Sequence, residues 1–435
     1  MTELGISSFP SYTTGTDINA SNLTAAAQAD YDNAVSMLNS MALTVPLTDP
    51  WNAASASTWD NMTLDDWMSA NMTTFGGYLE LYTAVATFLS AEPPNISLLY
   101  FLFYVHSAGT VEALTDDAQQ DRIDGGAQAI SLALLGALSS TVNVGAAVSE
   151  INDLGTEVKV TYGVTAVTAK KVVVAMMPKD ADGITFTSGL SATRQGLQSN
   201  WGTASGTKIS VVYSTPFWRG AGFSGTAFGT DLSFVTDNSP DDASSGILVG
   251  FPSAGFMALP AGNREQAAKD ELESFFGAAA QSNLDYTETN WDDETTISGC
   301  VSPLPMGFLT TYGTALRVPE GNIHWAGTET SEIWTGYMDG AIRSGERVAS
   351  ELTALLSVHE RPQIEFDVFP NPCVDRIKIN SASAIHGVQI YDLSGKLVKE
   401  LEDAQQIDLS NIRSGSYSIK VSTDAGVGVQ SLIKN

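Results

Sequence analysis

The stretch GNIHWAGTETSEIWTGYMDGAIRSGERVASEL, which begins at Gly321, constrains this 435-residue chain more than any other. Asn322 to Ala326 reads as a strand, the Gly-Thr-Glu-Thr run at Gly327 as a tight turn, and Met338 to Leu352 as a helix. Gly327 lets backbone come close to a neighbour, and Gly336, Gly340 and Gly345 keep one side of the following segment bare. A strand that feeds a helix N-terminus through small residues can cradle an anion or cofactor. Unpaired N–H groups and the helix dipole both point at such a ligand. Spacing alone leaves two readings open: a ligand cradle, or a strand–helix corner that binds nothing.

The chain is long enough for two or three domains, and 43% hydrophobic residues suit a globular protein. A net charge of −28, from 49 acidic and 21 basic residues, argues against nucleic acid and anionic membrane as partners. The plain reading is a solvated acidic surface; a cationic substrate is also favoured mildly. Cys300 and Cys373 lie far apart in sequence, which makes neither a disulfide framework nor a zinc site. Four histidines show no metal-ligand spacing, so no metal is expected. No segment reaches the ~18 apolar residues of a membrane span; the strongest run, ISLLYFLFYV, reads as a buried helix or strand. Met1 opens no signal-peptide pattern.

Residues 1–123 read as mainly helical, with apolar residues at helical spacing over Ala25 to Met41 and Leu79 to Leu89. Thr63, with Asp66 three places on, marks a helix start. GGAQAISLALLGALSS reads as a helix, AAVSEI and TEVKVTY as strands, and KKVVVAM as a strand buried on both faces. Residues 199–293 mix strands (KISVVYSTPFW, GILVGF) with a helix from Arg264 to Gly277. A boundary is expected at Val358 to Gln363, where HERPQ breaks the preceding helix. The tail then alternates apolar residues, with turns at Ser394-Gly395 and Ser414-Gly415, as a small antiparallel β-sandwich does.

The wording AGTET, W-x-GYMDGA and SGER resembles the C-terminal FAD motif of the flavin-dependent amine oxidases, the monoamine oxidase family. The resemblance runs from about Gly5 to Leu356 and takes in ISLLYFLFYVHSAG, AQQDRIDGGAQ, GTKISVVYSTPFWR, NWDDE and SGC in the family's order. It implies an α/β fold with α+β character, the FAD-linked oxidoreductase fold, in which 1–123 and 199–293 build the substrate domain. Residues 124–198 and 294–357 would then build the FAD-binding domain. The tail, 364–435, resembles the C-terminal sorting domain of type IX secretion in Bacteroidetes-type bacteria, through FPNP, YDLSGK and GSYSIKV. A small sugar- or protein-binding β-module is the alternative for the tail. The sorting reading makes the secretion machinery a partner and places the protein outside the cell or on its surface.

Family members open with a strand, a GxGxxG turn and a helix, the first Rossmann βαβ unit, which holds the FAD pyrophosphate. MTELGISSFPSYTTG matches the family downstream of that unit, so the fold is expected to lack it. GTASGTK at Gly202 is no substitute, because it lacks P-loop spacing and precedes a strand. The expected cause is a truncated reading frame; a shortened natural protein is the alternative.

The resemblance also assigns roles. Lys208 would hold a water at the flavin and organise hydride transfer and reaction with oxygen. Tyr337 would be the ring that lines the amine's path, while the place of the second ring is taken by Val301. Gln119 would line the substrate pocket. Trp291 and Trp334 would pack near the flavin. Gly327, Thr328 and Glu329 would contact the ribityl-phosphate region, Met338 and Ala341 would lie over the ring, and Val148 would give a backbone contact on the adenine side. Cys300 matches the position of covalent flavin attachment in mitochondrial relatives; non-covalent FAD is the expectation and a bond to Cys300 the alternative. Gly125 and Gly126 would permit close helix–sheet packing.

The implied activity is oxidation of an amine to an imine and aldehyde, with oxygen as acceptor and release of hydrogen peroxide and ammonia. Two alternatives stand beside it: a cofactor-less relic or surface binding module, and an oxidase of L-amino acids or polyamines. An amino-acid carboxylate would need an arginine, for which Arg122 and Arg219 are the candidates.

Overall fold

The computed structural model describes residues 2–204, 206–299, 301–357, 364–392 and 396–435. The chain divides into two compact units, Met1–Val348 and Ala349–Asn435. In the first unit a short strand, β1 (Thr16–Ile18), precedes the longer helices α1 (Ala25–Ala42), α2 (Leu64–Asn71), α3 (Phe75–Leu89) and α4 (Leu98–Ala108), with the single turn Ala56–Asp60 between α1 and α2. Helix α2 starts as its sequence directs. The Thr63 side chain accepts from the Asp66 N–H, and the Asp66 carboxylate accepts from the Thr63 N–H, which satisfies two orphan donors reciprocally. The apolar run ISLLYFLFYV becomes α4, whose residues from Leu98 to Val105 are all buried. A helix apolar on every side has to sit inside, and α4 is the centre of the largest core cluster.

Helix α5 (Gln128–Ala137) behaves in the opposite way. None of its residues is buried, and Leu132, Leu134 and Leu135 are exposed. Four strands follow: β2 (Val148–Asp153), β3 (Val158–Tyr162), β4 (Thr165–Ala169) and β5 (Val172–Ala175), then a two-residue strand, β6 (Thr185–Phe186). β2 to β4 form an antiparallel meander, and β6 joins β2 in parallel. The β-branched run in β5 is not buried on both faces as expected. Val174 is buried, but Val173 is 39% exposed. Among the described residues β5 has one strand neighbour, so a second edge and a second face stay uncovered. Gly125 and Gly126 do not serve close packing either. A Cβ at Gly126 would meet nothing within 4 Å, and both residues are glycine because φ is +76° and +85°.

A six-stranded sheet comes next: β7 (Thr207–Tyr213), β8 (Phe223–Ala227), β9 (Leu232–Asp237), β10 (Gly246–Pro252) and β11 (Asp285–Asn290) combine with β1 in the order β11-β7-β10-β9-β8-β1. One face, with Ile209, Val211, Tyr213 and Leu248, packs on helix α6 (Ala261–Phe276) through Ala268, Leu272 and Phe276. The other face carries Lys208, Ser210 and Val212 of β7 and Val249 and Phe251 of β10. Strand β12 (Ile323–Ala326) then pairs in parallel with β5, and α7 (Met338–Ser357) follows the turn after it.

The second unit is an antiparallel sandwich. One sheet is β13 (Phe366–Phe369), β14 (Arg376–Ser381) and β17 (Gln406–Asp408). The other has β16 (Leu397–Leu401), β15 (Ile385–Asp392), β18 (Gly415–Thr423) and β19 (Gly426–Lys434) in that order. Ile377, Ile379, Val388, Ile390, Ile419 and Val421 alternate inward and form its core. The outer edge of β19 is closed by Asn371, whose side chain donates to Ser431 O at 2.7 Å and accepts from Ile433 N at 2.9 Å. The expected boundary at Val358 to Gln363 and the turn at Ser394-Gly395 lie outside the described residues.

Asp60 ties the helical layer together. It is fully buried and accepts from Ser97 Oγ, from the Thr310 N–H and from Thr310 Oγ1, each at 2.7 Å. Bonds to a buried charge contribute about 1.5–3 kcal/mol each. Asp60→Ala is expected to lower the stability of the first unit by about 3 kcal/mol or more. Urea unfolding followed by tryptophan fluorescence checks it, because all eight tryptophans belong to the first unit.

Candidate active site

The turn after β12 is held from several sides. Gly327, at φ +111°, donates its N–H to Ser344 Oγ at 3.0 Å. Thr328 Oγ1 donates to Tyr337 O at 2.7 Å, and Thr335 Oγ1 donates to Thr328 O at 3.2 Å. Thr330 Oγ1 donates back to Gly327 O at 2.8 Å. Two arginines pin the same turn. Arg317 donates to Thr330 O at 2.7 Å and to Ser331 O at 3.3 Å, while Arg347 donates to Trp325 O at 2.6 Å and to Thr330 Oγ1 at 3.0 Å. Burial lowers the Arg317 guanidinium to about 10.

The approach to α7 is just as tight. Trp334 adopts φ +50°, a conformation that side chains rarely take, and its N–H donates to Ser107 O at 2.9 Å. A Cβ at Gly340 would lie 2.2 Å from the Trp334 carbonyl oxygen, which explains the glycine there. Gly345 is different: nothing lies within 4 Å of its absent Cβ, so no close approach requires it. Tyr337 precedes the helix, and Ala341 N donates to its carbonyl. The N–H groups of Met338, Asp339 and Gly340 therefore have no partner inside the helix. Met338 and Ile342 are 52% and 47% exposed, and Ala341 is exposed too. The result is an apolar surface with backbone donors, placed at the C-terminal ends of the parallel strands β5 and β12. A flat ring with hydrogen-bond acceptors on its rim suits that surface.

The rest of the predicted set is spread over several places. Val301 joins Thr328 and Glu329 in the wall of a small cavity of about 20 Å³, with Tyr100, Trp201 and Gly336. That is room for about one water. Val301 also bridges to Ala204, three residues before β7. Lys208, near the start of β7, is exposed, and its Nζ lies 5.2 Å from the centroid of the Phe251 ring. Phe251 in turn pairs with Phe234 of β9, ring to ring at 5.8 Å. Trp291 follows the end of β11, and its N–H donates to Gly206 O, beside the start of β7. Gln119 is exposed and gives only its carbonyl, to Ser11 Oγ at 3.1 Å. Val148 opens β2, opposite Tyr162 and apart from the turn. Cys300 lies outside the described residues.

Sequence reasoning passed over Phe251, Tyr104 and Arg317. Phe251 has a signal, the in-phase Ile247, Val249 and Phe251 of one strand face. Tyr104 is hidden in a run of core aromatics. Arg317 sits ten residues before the turn it pins, and spacing gives no sign of the contact. Burial pushes the Glu329 carboxyl above its ordinary value, with Asp180 adding to the effect and its own N–H opposing it. The candidate arginines for a carboxylate are engaged elsewhere. Arg219 grips Asp237 at 2.7 and 3.1 Å, and Arg122 donates to Ser239 O at 3.0 Å.

Residues 37–353 match the family model for flavin containing amine oxidoreductases, and residues 367–435 match that for the secretion system C-terminal sorting domain. A Mycobacterium tuberculosis protein that carries the name of a flavin-containing monoamine oxidase, AofH, is 38% identical over 319 residues, 72% of this chain and 70% of that protein. An L-amino acid dehydrogenase of Synechocystis is 32% identical over 68% of this chain and 64% of its own length. The structure of cyclohexylamine oxidase from Brevibacterium oxydans superposes with a TM-score of 0.75 at 28% identity, covering 82% of this chain and 84% of that one. No helix among the described residues is long and apolar enough to cross a membrane.

The raised Glu329 carboxyl has a signed consequence. Its contribution to stability is present below the ordinary value of 4.5 and is lost as pH rises through the raised value. Glu329→Gln should therefore melt higher than the parent at pH 8, with the gap closing towards pH 4. Thermal unfolding of the cofactor-free protein at both pH values checks it.

Proposed function

The chain belongs to the flavin containing amine oxidoreductase family, and on that footing we propose that it oxidises a primary or secondary amine. The amine gives up a hydride equivalent from its α-carbon and a proton from nitrogen. Water hydrolyses the imine to an aldehyde and ammonia, or to an aldehyde and a primary amine where the substrate is secondary, and dioxygen takes two electrons and two protons to become hydrogen peroxide. FAD, held non-covalently, supplies the hydride acceptor when bound. The observation that supports this reading most is the pinned Gly327–Thr330 turn with the donor-bearing, apolar start of α7.

Each proposed residue has a physical task. Met338, Ala341 and the first N–H groups of α7 would receive the ring, and Gly327 and Thr328 would let backbone approach its side chain. Tyr337 would present a ring face to the amine, which guides a cation or a lone pair. Lys208 would hold a water at the flavin and organise hydride transfer and reaction with oxygen, with its ammonium kept in place over Phe251. Val301, an aliphatic residue, would leave the Tyr337 ring without a facing aromatic. Trp291 and Trp334 would back the site. Roles for Gln119 in the pocket, Val148 at the adenine side and Cys300 beside the ring rest on the family resemblance. A simple amine fits better than an amino acid, because Arg122 and Arg219 are engaged with Ser239 and Asp237. The sorting domain supports export by the type IX route, so oxidation would take place outside the cell or on its surface.

Protein purified with FAD is expected to be yellow and to release peroxide with benzylamine, tyramine or putrescine. A preparation that takes up FAD and stays silent with all three would sink the reading. Lys208→Met should slow turnover by about 100-fold while FAD stays bound, the low end of what a positioned proton-handling group contributes. Stopped-flow absorbance of the bound flavin separates that effect from loss of cofactor.

A further inference from the structure

Beside the Gly327–Thr330 turn, the small cavity that Val301 and Glu329 share measures about 20 Å³, and one water requires about 10–15 Å³. Much of its wall is apolar, with Phe103, Leu304 and Leu309. A wholly apolar hole stays dry. Trp201 and Ser302 make this one different. Both line it, and they are 5% and 6% exposed. Trp201 Nε1 is buried and has no hydrogen-bond partner among the described residues. A buried donor in that condition costs free energy that a water recovers. The ring has little freedom to turn its N–H elsewhere, because Phe308 meets it edge-on at 5.4 Å and 85°. The backbones around Trp201 and Ser302 are also pressed together. Ala204 N donates to Val301 O at 3.0 Å, and a Cβ at Gly202 would lie 1.8 Å from Pro303 O. Thr328 and Thr335 belong to the same wall, but their hydroxyls are committed to Tyr337 O and Thr328 O. The Glu329 carboxyl is the acceptor that remains there.

We propose that this cavity is a hydration site, in which one ordered water accepts from Trp201 Nε1, donates to the Glu329 carboxyl and takes the Ser302 hydroxyl as a third partner. Three partners are the usual number for a buried water. The water is a joint. It ties the turn at Glu329 to the Val301–Ser302 segment, and the Val301–Ala204 bridge carries that tie to the residues leading into β7. Trp201 and Ser302 are then positioning residues: they touch no reacting atom and act through the water on the turn. Neither FAD nor an amine is needed for the water to bind, so the site stands apart from the functional reading.

The full chain without cofactor, isotope-labelled at its indole nitrogens, tests the site. Trp201→Phe identifies the Trp201 signal by its loss. In the parent that indole N–H should show a rotating-frame cross-peak to water, with the sign that a bound water gives and proton exchange does not. Ser302→Ala, which leaves the apolar packing in place, should weaken the cross-peak by about 2–10-fold and move the Trp201 signal while the remaining indole signals stay. In the same variant the amides of Thr328 to Thr330 should exchange with solvent about 2–10-fold faster, because the turn has lost one of its ties. A Trp201 indole without a water cross-peak overturns the proposal, and so does a Ser302→Ala protein in which the Trp201 signal and the turn amides are unchanged. If Trp201→Phe does not fold, crystals of the parent decide: density for one water within hydrogen-bond distance of Trp201 Nε1 supports the site, and none there overturns it. A protein that oxidises no amine defeats the functional reading alone and leaves each of these measurements standing.

Discussion

The rest of the site depends on one constraint, the fastening of the Gly327–Thr330 turn. Five side chains, those of Arg317, Thr335, Ser344 and Arg347 and that of Thr328 itself, bond to backbone or hydroxyls of this short segment or of the residue that precedes α7. Such bonds satisfy groups that a strand end and a helix start leave open. They also fix the distance between β12 and α7. With that distance fixed, Trp334 is confined to its left-handed conformation and Gly340 must remain bare. The order of cause runs from hydrogen bonding to backbone shape to the placement of Tyr337.

On the proposed reading, the site would draw on both halves of the first unit in different ways. The turn and α7 contribute backbone groups and are rigid by bonding. The six-stranded sheet contributes side chains on one face, and its rigidity comes from the other face, packed on α6. Lys208 gains its position from strand register: it lies one step beyond the Ile209–Gly250 pair, level with Phe251. Val301 connects the two, lining the small cavity with Glu329 and bridging to the residues that lead into β7.

Much of this was legible in the sequence. The capping pair Thr63 and Asp66, the wholly apolar α4 and the strand–turn–helix at Gly321 all formed, because each is settled by interactions within a few residues. The grouping of Gly327, Thr328, Glu329, Trp334, Tyr337, Met338 and Ala341 follows from the same local logic. What failed to show was set by long-range neighbours. The valines of β5 read as doubly buried, yet burial depends on what covers a strand, and Val173 has little over it. Gly125 and Gly126 read as packing glycines, but backbone handedness is their reason. Lys208 reads correctly as a strand residue, while its ring partner comes from a strand about forty residues on.

The sorting domain shows a device of another kind. Asn371 uses its side-chain amide as a peptide group, giving and taking hydrogen bonds along the outside of β19. Ile364 and Cys373 occupy further rungs with their own N–H groups. The last strand of the polypeptide is thereby denied to passing chains as a template for added β-structure. A module with a nine-residue strand that carries Val427, Val429, Leu432 and Ile433 can travel among many copies of itself, as exported cargo must, without zipping into fibres.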